Sequence, residues 1–248
     1  MLQADAVLAR TIAQEAAALL RDLHQGCDGG HDGKALGRRA DAEANALILA
    51  RLHAARPGDF ILSEESTDDP ARCGAERVWI VDPLDGTSGF CRASADYAVH
   101  IGLAVAGVPR AGAVALPATG QVFSSDAPPA LPPPHGGRPR IVVSDSRPPR
   151  VAELVAAALD AELLPMGSAG VKAMAVLLGK ADIYLHAGGQ YEWDNCAPAA
   201  VALSAGLHAS RIDGRALVYN CADPLLPDLL ICRAEWAAAV LRAVAVAG

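Results

Sequence analysis

The chain has 248 residues, of which 52% are hydrophobic and 20% charged. Its 21 Lys and Arg against 28 Asp and Glu leave a formal charge of −7. That composition supports a folded core and excludes a disordered chain. The acidic excess also lacks the basic footprint that a nucleic-acid polymer requires.

Residues 2–24 set Leu2, Val7, Leu8, Ile12, Leu19, Leu20 and Leu23 among charges, the pattern of an amphipathic helix. Asp5, Arg10, Glu15, Arg21 and Asp22 interrupt any apolar run, so this stretch is not a signal peptide. No segment approaches the roughly 18 apolar residues of a membrane span. The expectation is a soluble, cytoplasmic protein with no membrane partner. Gly-rich residues 25–37 read as a loop, and a second helix is predicted from Ala40 to Ala55, stopped by Pro57-Gly58-Asp59. Phe60-Ile61-Leu62 reads as a strand running into Ser63-Glu64-Glu65-Ser66, and Val78-Trp79-Ile80-Val81 as a buried strand. Stretches 98–106, 111–116 and 121–124 complete a mainly antiparallel sheet.

Residues 127–139 are rich in proline and glycine, and proline can neither continue a helix nor donate to a ladder. They divide a first subdomain, 1–126, from a second, 140–248. The second alternates strand and helix: strand 140–143, helix 149–160, strand 162–166, helix 168–179, strand 182–186, helix 194–206. That rhythm predicts an α/β half. Short strands at 216–219 and 228–232 and a helix from 233 close the chain. The six cysteines are scattered without a C-x-x-C pair and read as free packing thiols.

Chemistry concentrates in Asp82-Pro83-Leu84-Asp85-Gly86-Thr87, directly after the buried strand. Pro83 keeps Asp82 extended at the strand end. The turn can expose the Leu84 carbonyl, and Gly86 lets backbone approach a ligand. A helix starting near Thr87 would offer N–H groups to a phosphate. Two carboxylates and a carbonyl beside an anion nest suit Mg²⁺ together with substrate phosphate. A D-x-D-G-T phosphatase loop is the rival reading, disfavoured by register, because two residues, not one, separate the aspartates. Glu64 at a strand end, Asp194 at a helix start and Asp41 at the start of the second helix are further candidate carboxylates. Each also has a plain reading, as a cap or a solvated surface. His100 reads as a packed histidine.

In order and spacing, Glu64-Glu65, then Asp82 to Thr87, then Trp193-Asp194 resemble the inositol monophosphatase superfamily over nearly the whole chain. Trp193-Asp194-x-Cys196-Ala197-Pro198, with Gly167 to Val176, is similar to its CysQ-type 3′(2′),5′-bisphosphate nucleotidases. The resemblance implies a five-layer αβαβα sandwich of two subdomains and a lithium-sensitive phosphatase holding two or three Mg²⁺. Its substrate would be a small phosphate ester, 3′-phosphoadenosine 5′-phosphate or its sulfated relative, cleaved to a 5′-nucleotide in sulfate assimilation. Inositol monophosphate, fructose 1,6-bisphosphate and a non-catalytic metal- or nucleotide-binding regulator stay open as alternatives, as does a homodimer. The resemblance places Glu64, Asp82 and the Leu84 carbonyl on the first metal and Asp82, Asp85 and Asp194 on the second. A third, weaker metal would lie near Glu64. Thr87, with Asp41 or Glu64, would position and deprotonate water. Residues 84–87, including Leu84, Asp85, Gly86 and Thr87, would hold the phosphate, with Glu64 and Asp194 beside it. Ser168 and Lys172 would contact the nucleotide, although Lys172 reads equally well as a solvated helix face. Ser144 to Arg147 is either a further nucleotide contact or a turn.

Overall fold

A computed structural model describes residues 1–25, 33–92, 94–134 and 136–247. The first sheet orders β1 (Phe60–Ser63), β2 (Arg77–Asp85), β3 (Ala98–Val105), β4 (Val108–Leu116) and β5 (Gln121–Ser124) consecutively. Only β1 and β2 run parallel in it, so the sheet is mainly antiparallel as the sequence implies. Helices α1 (Leu2–Gln25) and α2 (Gly33–Ala55) cover its outer face. A short helix, α3 (Thr87–Cys91), follows β2.

The second sheet is built from β6 (Arg140–Ser144), β7 (Glu162–Met166), β8 (Ile183–Tyr191), β9 (His208–Ser210) and β10 (Leu225–Cys232), in the spatial order β7-β6-β8-β10-β9. Helices α5 (Ala169–Leu177) and α6 (Glu192–Ser204) lie between the two sheets, and α4 (Arg150–Leu159) and α7 (Ala234–Ala247) cover the far side. The result is the five-layer αβαβα sandwich.

Strand alternation builds the layers. Val78 and Ile80 of β2, Val142 of β6, Tyr184 of β8 and Ile231 of β10 fill the central core around α5 and α6. The intervening Trp79 and Val81 pack on α1 and α2. Ile141, Ile183 and Leu230 pack on α4 and α7. Both faces of these strands are covered, which explains their continuous apolar runs.

Three expectations are corrected. The second helix starts at Gly33, within the expected 25–37 loop, so Asp41 sits inside a helix and not at its start; residues 26–32 of that expected loop lie outside the described residues. Residues 216–219 join no ladder, and the missing edge is β9, too short and polar to stand out. The strand expected at 182–186 runs on through Gly188 and Gly189 to Tyr191, paired with β10 on either side of a bulge at the glycines. The Pro-rich stretch is seated on the sandwich: Leu131 packs against the central core, and the Pro132 carbonyl accepts from Arg233 at 2.9 Å.

The placement of α6 depends on two paired glycines, Gly102 of β3 and Gly112 of β4. A Cβ at Gly102 would lie 2.9 Å from the Ala197 nitrogen and the Cys196 Sγ, and one at Gly112 3.0 Å from the Ala197 carbonyl. Only bare backbone lets the helix lie this close to the sheet. Gly102→Val is expected to cost about 1–3 kcal/mol by overpacking. It should also cut turnover, because the same helix carries Asp194. Thermal unfolding and kcat measured on one preparation test both effects.

Candidate active site

The spacing of Asp82 and Asp85 has a structural cause. In a regular strand, residues three apart face opposite sides. Here Asp82 pairs with His100 and Asp85 with Ala98, so three steps on β2 match two on β3. The extra residue is a bulge at Pro83, which has no N–H to give to a ladder. The bulge turns Asp85 to the same side as Asp82, toward α5 and α6, while Leu84 packs outward against α2. The Asp82 carboxylate accepts the Leu84 N–H at 3.0 Å and so fixes the turn. Gly86 then adopts φ +86°, and a Cβ there would meet the Asp96 carbonyl at 2.5 Å.

Asp194 arrives from α6. Its carboxylate caps its own helix by accepting the Tyr191 N–H at 2.6 Å. One carboxylate oxygen each from Asp82, Asp85 and Asp194 lies within 4.8 Å of the others. Glu64, just past β1, raises the Asp82 pKa from beside this trio. On the other side, the Thr87 hydroxyl donates to the Leu84 carbonyl at 3.1 Å and lies 3.3 Å from an Asp41 oxygen. The remaining Asp41 oxygen is buried with no donor.

These acids differ in protonation. Burial, then repulsion from Glu64, Asp85 and Asp194, pushes Asp82 well above the usual carboxylate range. Burial and then Asp85 raise Asp194 to about 7. Burial, with Glu65 and Glu64, raises Asp41 to about 7. Burial, Glu65 and Asp85 raise Glu64. Asp85 is the exception. Burial alone would raise it too, but His100, Lys172 and Ser168 outweigh burial and hold it ionised. Its Oδ2 accepts the Ser168 hydroxyl and the Gly170 N–H at 2.8 Å, and His100 Nε2 stands 3.3 Å away as an ion-pair partner.

His100 is the residue that sequence reasoning missed. It is fully buried, and its Nδ1 lies 3.0 Å from the Trp193 carbonyl, so it ties Asp85 to the start of α6. Its place opposite Asp82 comes from the β2–β3 register, which no local stretch of sequence carries. Ser168, expected to contact substrate, directs its hydroxyl to Asp85. Lys172, expected to be either a nucleotide contact or a solvated residue, is 5% exposed, and its ammonium donates to the Ser168 carbonyl at 2.7 Å. The Ser144 hydroxyl accepts the Arg147 N–H at 3.2 Å, so 144–147 is a turn, one that also faces the cleft.

The donor set fits a hard divalent cation. Oxygen ligands converge from β2 and α6, and their mutual repulsion leaves them partly protonated until positive charge arrives. A sandwich of this form, with carboxylates meeting at a bulge beside a glycine-cornered turn, defines a metal-dependent phosphatase. The chain belongs to the inositol monophosphatase family, which it matches over residues 1–127 and 141–245. It is 52% identical over 223 residues to the 3′-phosphoadenosine 5′-phosphate phosphatase of Mycobacterium bovis, covering 85% of this chain and 82% of that one. The Mycobacterium leprae protein of the same name is 48% identical over 251 residues, 96% of this chain and 92% of that one. Among solved structures, CysQ from Bacteroides thetaiotaomicron has a TM-score of 0.81 and 25% identity, covering 93% of this chain and 97% of that one. Among the described residues, no helix is long and apolar enough to cross a membrane.

Proposed function

We propose that this chain is a magnesium-dependent phosphatase that hydrolyses 3′-phosphoadenosine 5′-phosphate to AMP and inorganic phosphate, with the sulfated relative as a further substrate. The relative that is 52% identical and bears that activity in its name carries the substrate assignment. The converging Asp82, Asp85 and Asp194 oxygens support the metal dependence. The setting would be the cytoplasm, where the reaction clears a by-product of sulfate assimilation.

Glu64, Asp82 and the Leu84 carbonyl would hold one cation, and Asp82, Asp85 and Asp194 a second, with a weaker third near Glu64. Bound cations would neutralise phosphoryl oxygens and lower the pKa of water. The chain's own residues do the rest. The 84–87 backbone orients the phosphate, Gly86 providing the close approach. Thr87 would take a proton from the attacking water as it passes its own hydroxyl proton to Asp41, 3.3 Å away, whose raised pKa suits it to accept one near neutral pH. Ser168, Gly170 and His100 keep Asp85 in one orientation, so no reorganisation is needed during the reaction. No covalent nucleophile is required.

Phosphate release from 3′-phosphoadenosine 5′-phosphate, inositol 1-phosphate and fructose 1,6-bisphosphate tests this reading. We expect kcat/KM for the nucleotide to exceed the others by about 100-fold or more, a gap of at least about 2.7 kcal/mol in transition-state binding. Activity should vanish with a chelator and return with Mg²⁺. A preference for inositol phosphate would overturn the substrate assignment.

A further inference from the structure

A cavity of about 230 Å³ opens beside the phosphate loop. One wall is a single helical face. Ser88 and Arg92 stand four residues apart at the end of α3, with Gly89 between them contributing no side chain. Ser144 and Asp145, at the end of β6, form the facing rim, and Lys172 forms part of the floor.

Two cations line this space, and they are not equivalent. The Lys172 ammonium is buried, 2.7 Å from the Ser168 carbonyl and 5.5 Å from the Tyr184 ring centroid. Its donors serve the protein. Arg92 is exposed to the cleft, and its guanidinium meets no acceptor among the described residues. The acids are not equivalent either. Asp96 accepts the Gly167 N–H at 3.1 Å, whereas no donor among the described residues holds the Asp145 carboxylate. A phosphate entering this cavity is repelled from the Asp145 rim and attracted to the Arg92 wall.

We propose that Arg92 binds the 5′-phosphate of the nucleotide and is the residue that selects a bisphosphate over a simple phosphate monoester. This rests on the 3′-phosphoadenosine 5′-phosphate reading of the site. The 3′-phosphate sits at the 84–87 turn, so the 5′-phosphate must lie one ribose away. The backbone rise from Ser88 to Arg92, the C-cap of α3, is about 6 Å, comparable to the span of one ribose. A guanidinium also grips two phosphate oxygens at once, which an ammonium cannot. In a chain of net charge −7, a second dianion beside the carboxylates needs this counter-charge.

The test compares 3′-phosphoadenosine 5′-phosphate with 3′-AMP, which has the same scissile bond and no 5′-phosphate. Arg92→Met should lower kcat/KM for the bisphosphate about 10–100-fold, mainly through KM. It should leave 3′-AMP within about threefold of the parent enzyme. Arg92→Lys should recover part of the loss, because charge returns without the fork. An equal loss on both substrates would mean a structural role and would overturn the proposal, as would no loss on either. Wild-type failure to hydrolyse the bisphosphate is a separate outcome, which overturns the underlying substrate reading.

Discussion

Asp85→Asn is expected to abolish metal-dependent phosphate release, lowering kcat at least about 1,000-fold. The reason is orientation as much as charge. Two donors bond to Oδ2 of Asp85, the Ser168 hydroxyl and the Gly170 N–H, and His100 Nε2 lies 3.3 Å from it as an ion-pair partner. Oδ1 accepts no hydrogen bond among the described residues and is left for a cation. In the variant, those donors demand the amide oxygen, so the NH₂ group must point toward Asp82, Asp194 and the metal position. A ligand becomes a donor aimed at a cation. His100 also loses the partner that keeps it charged while buried. The variant should remain folded, since the amide can still satisfy Ser168 and Gly170. Phosphate release at saturating Mg²⁺, with thermal unfolding as the control for folding, checks the expectation. Turnover within tenfold of the parent in a folded variant would remove Asp85 from the site.

The site was legible where local chemistry and global fold agree. Pro83 between two aspartates, after an apolar strand, marks where the ladder breaks, and from sequence it implies a turn; the structure has a bulge there instead, with β2 running on to Asp85. That bulge explains why two residues separate the carboxylates. Asp194 was legible as a helix-start acid, and the structure has it capping its own helix and facing the cluster at once. What was hidden depends on long-range pairing. His100 looks like any residue of an apolar strand until the β2–β3 register sets it against Asp82. The same holds for a buried network behind α6. Arg72, in a short 3₁₀ helix over Pro70–Gly74, donates to Asn220 at 3.0 Å and to the Cys221 carbonyl at 2.9 Å. Fully buried Glu192 accepts the N–H groups of Asn220 and Cys221. These partners lie up to 149 residues apart, and no window of sequence contains both. The network fastens residues 220–221 to the first turn of α6, which explains why this segment turns away from a ladder and why a strand expected at 216–219 does not form. The missed start of α2 is a simpler matter, since composition around Gly33 and Gly37 disfavours a helix that tertiary packing nevertheless forms.

The metal-free protein is expected to lose stability as pH rises from about 4 to about 7, the opposite of ordinary carboxylate behaviour. Asp41 has a folded-state pKa of about 7 against its usual 3.8, raised by burial, Glu65 and Glu64. Below the unfolded value both states are protonated, and no penalty exists. As pH rises, the unfolded chain ionises first. The folded chain then binds more protons, and stability falls until pH passes about 7. For Asp41 alone the loss is about 4 kcal/mol across that window. Asp194 adds in the same direction, and so do Asp82 and Glu64. The raised pKa of His100 also favours lower pH. His186 and His208, both lowered by burial, work the other way near their own titrations and offset part of the fall. In a chain of this length, about 4 kcal/mol corresponds to roughly 10 °C in Tm. Mg²⁺ should erase the slope, because it supplies the charge that the missing protons left uncompensated, and its stabilising effect should grow with pH. Asp41→Asn should reduce the slope of the metal-free profile by the Asp41 share, leaving that of Asp194, Asp82 and Glu64. Calorimetry of chelator-treated protein at about pH 5 and about pH 8, with and without Mg²⁺, decides the matter. A metal-free Tm that rises across that range would mean that the cluster is not under mutual repulsion. The acidic excess of the chain would then have no concentrated address.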